Sequence, residues 1–409
     1  MQTYSLISAM CYETGKIKSL TLINKRCIIQ RMSFNKAGKT SHEQIQAQSV
    51  DAVVNALREN ADPAPAVVEI HPTDLCNQRC SYCFHGGVGN DASRRSEQLK
   101  PSDYQQLFQE AGSMGVQEIS VSGGGEPFLY KGIDRVLESL ADSPMRTRIV
   151  THGNRINPEM DDAILAADEI RFSVDTVTPA EYNAMRGLSE GSNLVNDTLE
   201  NMSRLVRARN IARSSGLKIA ATVILGPVNS NPEGVHRTIT TLVDKIGIDQ
   251  LTFKSDIYGQ VAPDTEQAKA VNEILYCAEE EHPDRITVRQ DLSNLSVTGL
   301  ACAVPYFKIA LDPYGEVYSC CLGSQPNEKN GLTFGALSDF DGSFERLWAA
   351  SKPIRDGMLK SVACVDCNHT DRTLNDSVRD RMNLQRATAT PDNHPTESVP
   401  PVPVYINVK

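Results

Sequence analysis

The sequence predicts an α/β fold, a partial (β/α)6 barrel of the TIM-like kind followed by a small C-terminal α+β domain. Three observations predict it. Short β-rich runs alternate with helix-period stretches from residue 67 to residue 256. That alternation stops near residue 290, where paired strands and a turn take over. Residues with chemistry to offer gather directly after the predicted strands, the end of such barrels at which active sites are built.

The strand runs are VVEIHPT (67–73), EISVSG (118–123), RTRIVTHG (146–153), EIRFSVD (169–175), KIAATVILG (218–226) and DQLTFKSD (249–256). Their β-branched content and bounding turn residues mark them as strands. Between them apolar residues recur at helical spacing, as in Tyr104, Leu107, Phe108 and Ala111, and in Val195, Leu199, Met202, Leu205 and Val206. Strands separated by helices of this length pair in parallel. Before the barrel, residues 1–64 form an N-terminal region of uncertain structure, with β-hairpin patterning early and an amphipathic helix in SHEQIQAQSVDAVVNALREN. ADPAPA (61–66) is a short linker, and the barrel is expected to span 65–290. In 291–387, YFKIALDPYGEVYSCC reads as two strands around an Asp-Pro-Tyr-Gly turn. SFERLWAASKPIRDGMLK is helical there, with Ser343 as N-cap and Pro353 as a break. Residues 388–409, rich in Pro and Thr, read as a flexible tail.

Composition excludes several classes. The 409 residues carry a net charge of −10 with a pI near 5.4, which argues against duplex nucleic acid and anionic membranes as partners. No apolar run approaches the roughly 18 residues that cross a bilayer. No secretion signal is visible at the N-terminus, so a cytoplasmic location is expected. Eleven cysteines in such a chain point to metal or redox chemistry rather than a disulfide framework.

Cys76, Cys80 and Cys83, in CNQRCSYCF after the first strand, form a three-thiol set without a nearby fourth. Thiolates hold zinc or iron–sulfur clusters, and spacing alone does not separate the two. SGGGEP (122–127) follows the second strand, and its glycines let backbone approach a ligand closely. CxxxCxxC after strand one joined to Gly123, Gly124, Gly125 and Glu126 after strand two resembles the radical S-adenosylmethionine (radical SAM) superfamily over about residues 66–260. The resemblance implies a 4Fe–4S cluster on Cys76, Cys80 and Cys83 whose open iron chelates S-adenosylmethionine. Reductive cleavage of that molecule then gives a 5′-deoxyadenosyl radical that abstracts hydrogen from substrate, with electrons from a donor such as flavodoxin or ferredoxin. It also implies that Tyr82 packs near the adenine, that Gly123–Glu126 meet the methionine amino group, and that Ser173 and Asp175 contact the methionine carboxylate or the ribose. THGN (151–154) stands where relatives have Thr-Asn-Gly, and His152 departs from that pattern. Arg171, Lys254, Asp256 and Tyr258 lie near strand ends within reach of substrate, and Lys254 is a catalytic candidate.

A second set comprises Cys302, Cys320, Cys364 and Cys367. Twelve residues separate Cys302 from Gly315, four more precede Cys320, and CVDC follows at a distance. This resembles a C-terminal SPASM domain in its shortened twitch form, which implies a second, auxiliary 4Fe–4S cluster; a four-cysteine zinc ribbon has the same spacing. Cys321 reads as an alternative ligand, a hydrogen donor or a buried thiol, and Cys277 is expected in the core; either is a candidate thiol for an epimerisation. The leading expectation is oxidation or rearrangement of a small polar metabolite of carbohydrate or aminocyclitol type. The alternative is a maturase that crosslinks or epimerises a ribosomal precursor peptide, and a non-catalytic scaffold is a third reading.

Overall fold

The computed structural model describes residues 41–83, 85, 97–212, 216–256, 263, 265–289, 297–321, 333–360, 362–364 and 369–382. The expected N-terminal hairpins, Tyr258, Cys11, Cys27, Cys367 and the tail lie outside the described residues.

Each predicted strand run contains a strand: β1 (Val67–Ile70), β2 (Glu118–Val121), β3 (Arg146–Thr151), β4 (Glu169–Ser173), β5 (Lys218–Leu225) and β6 (Gln250–Ser255). They pair in parallel and in chain order. The helices between them are Pro101–Met114, Ile133–Ala141, Asp161–Leu165, Pro179–Met185, Leu194–Ala212 and Pro232–Ile239, with Thr265–Glu281 after β6. Period-2 alternation sends Val68 and Ile70 of β1 into the same core as Tyr104, Leu107, Phe108 and Ala111 of the first helix. Burying each such side chain stabilises by about 1.5–3 kcal/mol. That helix starts at Pro101, where Asp103 Oδ2 accepts the Lys100 N–H at 2.7 Å, and stops at Gly115, whose φ of 91° suits glycine. In Thr265–Glu281 the core face is Ala268, Val271, Leu275 and Ala278. Cys277 therefore points outward and is exposed, contrary to its expected core position.

Beyond residue 285 the sheet continues further than the sequence showed. β7 (Ile286–Arg289) adds in parallel to β6. After β8 (Val297–Leu300), β9 (Lys308–Leu311) returns to lie parallel to β1 on its free side. β10 (Glu316–Tyr318) and β11 (Thr333–Ala336) extend that side antiparallel, while β12 (Val362–Cys364) pairs with β8 in a separate two-stranded ribbon. The expected hairpin is β9–β10, its turn closed by Asp312 Oδ1 accepting from Tyr314 N at 2.8 Å and Glu316 N at 2.9 Å. Among the described residues the ten strands of this sheet thus run β11-β10-β9-β1-β2-β3-β4-β5-β6-β7, and the strand that leads into the cysteine loop is internal.

The helical stretch after β11 behaves as expected. Ser343 Oγ accepts from Arg346 N at 3.2 Å as the N-cap of Phe344–Ala350, and Pro353 sits in the first turn of a second helix, Lys352–Met358. Arg355 of that helix is fully buried, 3.5 Å from the centre of the Trp348 ring. Its Nη2 donates to both Asp62 oxygens at 2.6 Å, which fastens the linker before β1. Among the described residues no helix is long and apolar enough to cross a membrane.

Candidate active site at the carboxyl ends of the strands

The loops after β1, β2, β3 and β4 meet at one rim. Gly125 N donates to Thr73 O at 3.0 Å and Glu126 N to Leu75 O at 2.7 Å, so the glycine loop is laced to the segment leading into the cysteines. A Cβ on Gly125 would lie 2.2 Å from Leu75 O, and one on Gly124 would lie 2.7 Å from Asp74 Oδ1. Only glycine permits this approach. The third loop joins through Asn154, whose Oδ1 accepts from Asn77 Nδ2, between the first two cysteines, at 3.2 Å.

Glu126 is turned inward and buried. Its Oε1 accepts from Thr151 Oγ1 at 2.5 Å and Phe128 N at 3.2 Å, and its Oε2 from His152 N at 2.9 Å. Its carboxylate ties the second and third loops together, and any contact of this loop with a ligand amino group goes through backbone. Burial pushes its pKa up to about 7, against the hydrogen bonds from Thr151, His152 and Phe128. His152 is buried beside it, with Nε2 3.2 Å from Glu126 Oε2. Burial, then Arg186, holds the imidazole neutral, well below its usual range. Asn154 N donates to its Nδ1 at 3.4 Å.

Arg186, which the sequence reading missed, organises the other half of the rim. It ends the helix Pro179–Met185 and is buried. Its Nη1 donates to Gln78 Oε1 at 2.9 Å, its Nη2 to Ser173 O at 2.9 Å, and Nη2 lies 2.6 Å from Asp175 Oδ2. The guanidinium stands 5.8 Å from the centre of the Tyr82 ring and 5.1 Å from that of Tyr182. Burial opposes the Arg186 charge, and Asp175, with Tyr82, Cys80 and Tyr182 beside it, together more than offset that. The cysteine loop is further pinned by Arg79 N to Arg186 O at 2.9 Å and Ser81 N to Met185 O at 3.1 Å. No local sequence signal marks Arg186, because its partners lie in the distant cysteine loop and at the end of β4.

Asp175 is placed differently from a ligand-facing residue. It is buried with a φ of 62°, a left-handed conformation that Asp tolerates better than most residues. It receives the Tyr82 hydroxyl, Arg186, and Ile224 N at 3.0 Å, and its own carbonyl accepts from Asn229 Nδ2 at 2.9 Å. Its carboxylate is committed to protein donors, so its place in the site is to position Tyr82 and Arg186. Ser173 lies half-buried on the inner strand face, in register with Thr222. Arg171 is likewise engaged, donating to Glu169 at 2.9 Å, Thr222 at 3.3 Å, Thr252 at 3.2 Å and Gln250 at 3.0 Å. It belongs to the barrel floor rather than to a substrate site. Lys254 stands higher on β6, opposite Ile224 and Arg289.

Cys76, Cys80 and Cys83 are partly buried free thiols, near enough to act on one another electrostatically. Among the described residues no group of three His, Cys, Asp or Glu side chains is set for a single metal ion. A loop held by backbone and non-cysteine side chains leaves its three thiols free of a holding role, which fits a cluster that they would bind. Burial pushes Cys76 up to about 12 and raises Cys80, with Arg186 opposing at Cys80, so metal capture releases protons.

In the second set, Cys302 and Cys320 share the helix His369–Met382 as neighbour. Asn375 Nδ2 lies 3.8 Å from Cys302 Sγ, and Asp371 pairs with Lys308 at 3.1 Å beside Cys320 and Cys321. Cys364 stands opposite Val297 on the ribbon, while Cys302 follows Leu300, which pairs with Val362. The ribbon therefore sets Cys302 and Cys364 at opposite ends. Cys321 is partly buried beside Lys308 and Glu69, and burial raises its thiol.

Residues 70–241 match the family model described as the radical SAM superfamily. The chain carries a radical SAM domain. Mycofactocin maturase MftC of Mycobacterium ulcerans (strain Agy99) is 22% identical over 327 residues, covering 75% of this chain and 81% of that protein. GTP 3′,8-cyclase of Haemophilus influenzae (strain 86-028NP) is 31% identical over 121 residues, covering 29% of this chain and 35% of the cyclase, so the match spans about a third of that enzyme. Streptococcus suis SuiB, solved bound to S-adenosylmethionine, superposes with a TM-score of 0.54 at 15% identity, covering 82% of this chain and 77% of that one. This likeness confirms the fold class, an α/β partial barrel with a C-terminal extension.

Proposed function

We propose that this radical SAM enzyme matures a peptide. The observation that carries the reading is the reach of the MftC match. It runs over 75% of this chain, far past the domain at 70–241, whereas the cyclase match covers only 29%. SuiB, which shares the fold, has also been solved bound to its precursor peptide SuiA. These likenesses favour the peptide reading over the small polar metabolite. Cys76, Cys80 and Cys83 would hold a 4Fe–4S cluster, and the rim formed by Gly123–Gly125, Tyr82 and Ser173 would hold S-adenosylmethionine. Together the bound groups supply a 5′-deoxyadenosyl radical. The chain's own residues space the three thiols through Arg186 and Asn77, keep the glycine backbone against that loop, and close the polar floor with Arg171. A second cluster on Cys302 and Cys320, completed by Cys364 and Cys367, is part of the proposal.

The test uses anaerobically reconstituted enzyme with dithionite, S-adenosylmethionine and the product of a short open reading frame encoded beside its gene. A mass change in the peptide, with 5′-deoxyadenosine release that Cys80→Ala abolishes, is the expected result. Stimulation of 5′-deoxyadenosine release by an aminocyclitol or sugar, with the peptide untouched, would return the reading to small metabolites.

A further inference from the structure

The three residues between Cys76 and Cys80 are turned three ways. Asn77 reaches sideways, its Nδ2 donating to Asn154 Oδ1 at 3.2 Å. Gln78 is buried, donating to the Tyr182 hydroxyl at 2.9 Å and accepting from Arg186 Nη1 at 2.9 Å. Arg79 is exposed. Its backbone faces the protein: Arg79 N donates to Arg186 O at 2.9 Å, and a Cβ on Gly187 would lie 2.5 Å from Arg79 O. The side chain is left to solvent.

The third loop repeats the pattern. Asn154 is buried, Ile156 belongs to the core, and Arg155 between them is exposed. The Asn77–Asn154 bond therefore brings two outward arginines to one stretch of the rim. Among the described residues neither side chain has a carboxylate or hydrogen-bonding partner. Carboxylates on the adjoining loops are engaged elsewhere: Glu126 and Asp175 are buried, and Asp161 is held by Arg204 at 2.9 Å. Glu190, on the loop after Arg186, is exposed.

Exposed arginines contribute little to stability even when paired, so the fold gives no reason for these two. Their setting does. In a chain of net charge −10, an acidic partner meets repulsion from the surface as a whole, and a local cationic point would orient it and speed its encounter. Arg79 immediately precedes Cys80, so a partner resting on it lies against the cysteine loop itself. That favours a reductant over a substrate peptide.

We propose that Arg79 and Arg155 form the docking point of an acidic one-electron carrier protein of the flavodoxin type. The inference rests on a cluster held by Cys76, Cys80 and Cys83, and it is independent of whether the substrate is a peptide. In the docked pair the carrier gives up one electron to the site beneath Arg79. Its anionic flavin hydroquinone becomes the neutral semiquinone, and no proton moves.

The experiment mixes anaerobically reconstituted holoenzyme with a purified flavodoxin in its hydroquinone form and follows the appearance of the blue semiquinone. Reduction of the same enzyme by dithionite runs in parallel, and every variant is checked for wild-type iron content. Arg79→Glu and Arg155→Glu should each slow the flavodoxin reaction roughly fivefold at low salt, with the difference shrinking as salt rises to about 0.5 M. Arg79→Lys and Arg155→Lys should retain the wild-type rate within about twofold, because steering depends on charge. Dithionite should reduce all variants as it reduces wild type. If a charge reversal lowers iron content, Arg79→Gln and Arg155→Gln replace it with the same expectation. A flavodoxin rate indifferent to both arginines would overturn the docking point. So would equal slowing with dithionite, which would place the side chains in the service of the site, or weaker binding of an acidic peptide with flavodoxin unaffected. Wild type that dithionite leaves unreduced removes the cluster reading, and the docking point with it. Wild type reduced by dithionite but indifferent to the arginines removes the docking point alone.

Discussion

Replacing Arg186 by Leu tests the account of how the cysteine loop is held. The substitution removes the bonds to Gln78 and Ser173 at 2.9 Å each and the 2.6 Å pairing with Asp175. It leaves the buried Asp175 carboxylate with Tyr82 and Ile224 N as its remaining donors. Breaking a buried pair by deleting one partner costs about 3–5 kcal/mol, because the other charge stays behind. Denaturant unfolding of the apo chain should show that loss, and anaerobic reconstitution should show impaired iron binding at the first site. Arg186→Lys keeps the charge but not the fork and should fall between wild type and Arg186→Leu. Adding Asp175→Asn to Arg186→Leu should recover about 1–3 kcal/mol, since Asn tolerates the left-handed φ and carries no stranded charge. A loss below about 1 kcal/mol with full iron binding would refute the reasoning, as buried pairs broken on one side do not behave that way.

Three further outcomes are expected. Reconstituted wild type should hold about eight irons per chain, as two 4Fe–4S clusters require, and the triple Cys76→Ala, Cys80→Ala, Cys83→Ala variant about four; zinc in place of the residual iron would replace the second cluster by a zinc ribbon. Gly125→Ala, whose Cβ would fall 2.2 Å from Leu75 O, should separate the glycine and cysteine loops and lose iron, while Gly216→Ala, with nothing within 4 Å, should change stability by less than about 0.5 kcal/mol. Because burial raises Glu126 to about 7 from 4.5, its folded form holds a proton that the unfolded chain releases earlier. Its contribution is present in full below about pH 4.5 and fades as pH rises to about 7, by on the order of 3 kcal/mol. Denaturant titrations of wild type and Glu126→Gln across that window should show the slope in wild type alone.

Most of the barrel was legible because its signals are local. Alternation and helical stripes depend on neighbours a few positions apart, and all six predicted strands appear in order. β7 and the place of β9 escaped for the opposite reason: β9 was expected as the first strand of a hairpin, but its position beside β1 is set by pairing Val67 with Lys308 across most of the chain, and β7 is placed by its pairing with β6. The three cysteines and the glycine loop were readable as motifs because spacing itself is the information. Arg186, Gln78 and Asn77 were not, since each matters only where loops from different strands meet. Asp175 was found at the right strand end, yet its buried, left-handed placement makes it a brace for Tyr82 rather than a ligand-facing group.

The insertion of β1 between β9 and β2 bears on how this protein comes to be made. While the chain emerges from the ribosome, the strand that launches the cysteine loop has a neighbour on one side only, until residues 308–311 are synthesised and can pair with it. An unpaired strand edge of this kind is prone to association with other chains. The strand that leads into the cysteine loop is therefore fully paired late, after nearly the whole barrel has been translated, and a cluster delivered ahead of this pairing would meet a loop whose supporting strand was still half-bonded.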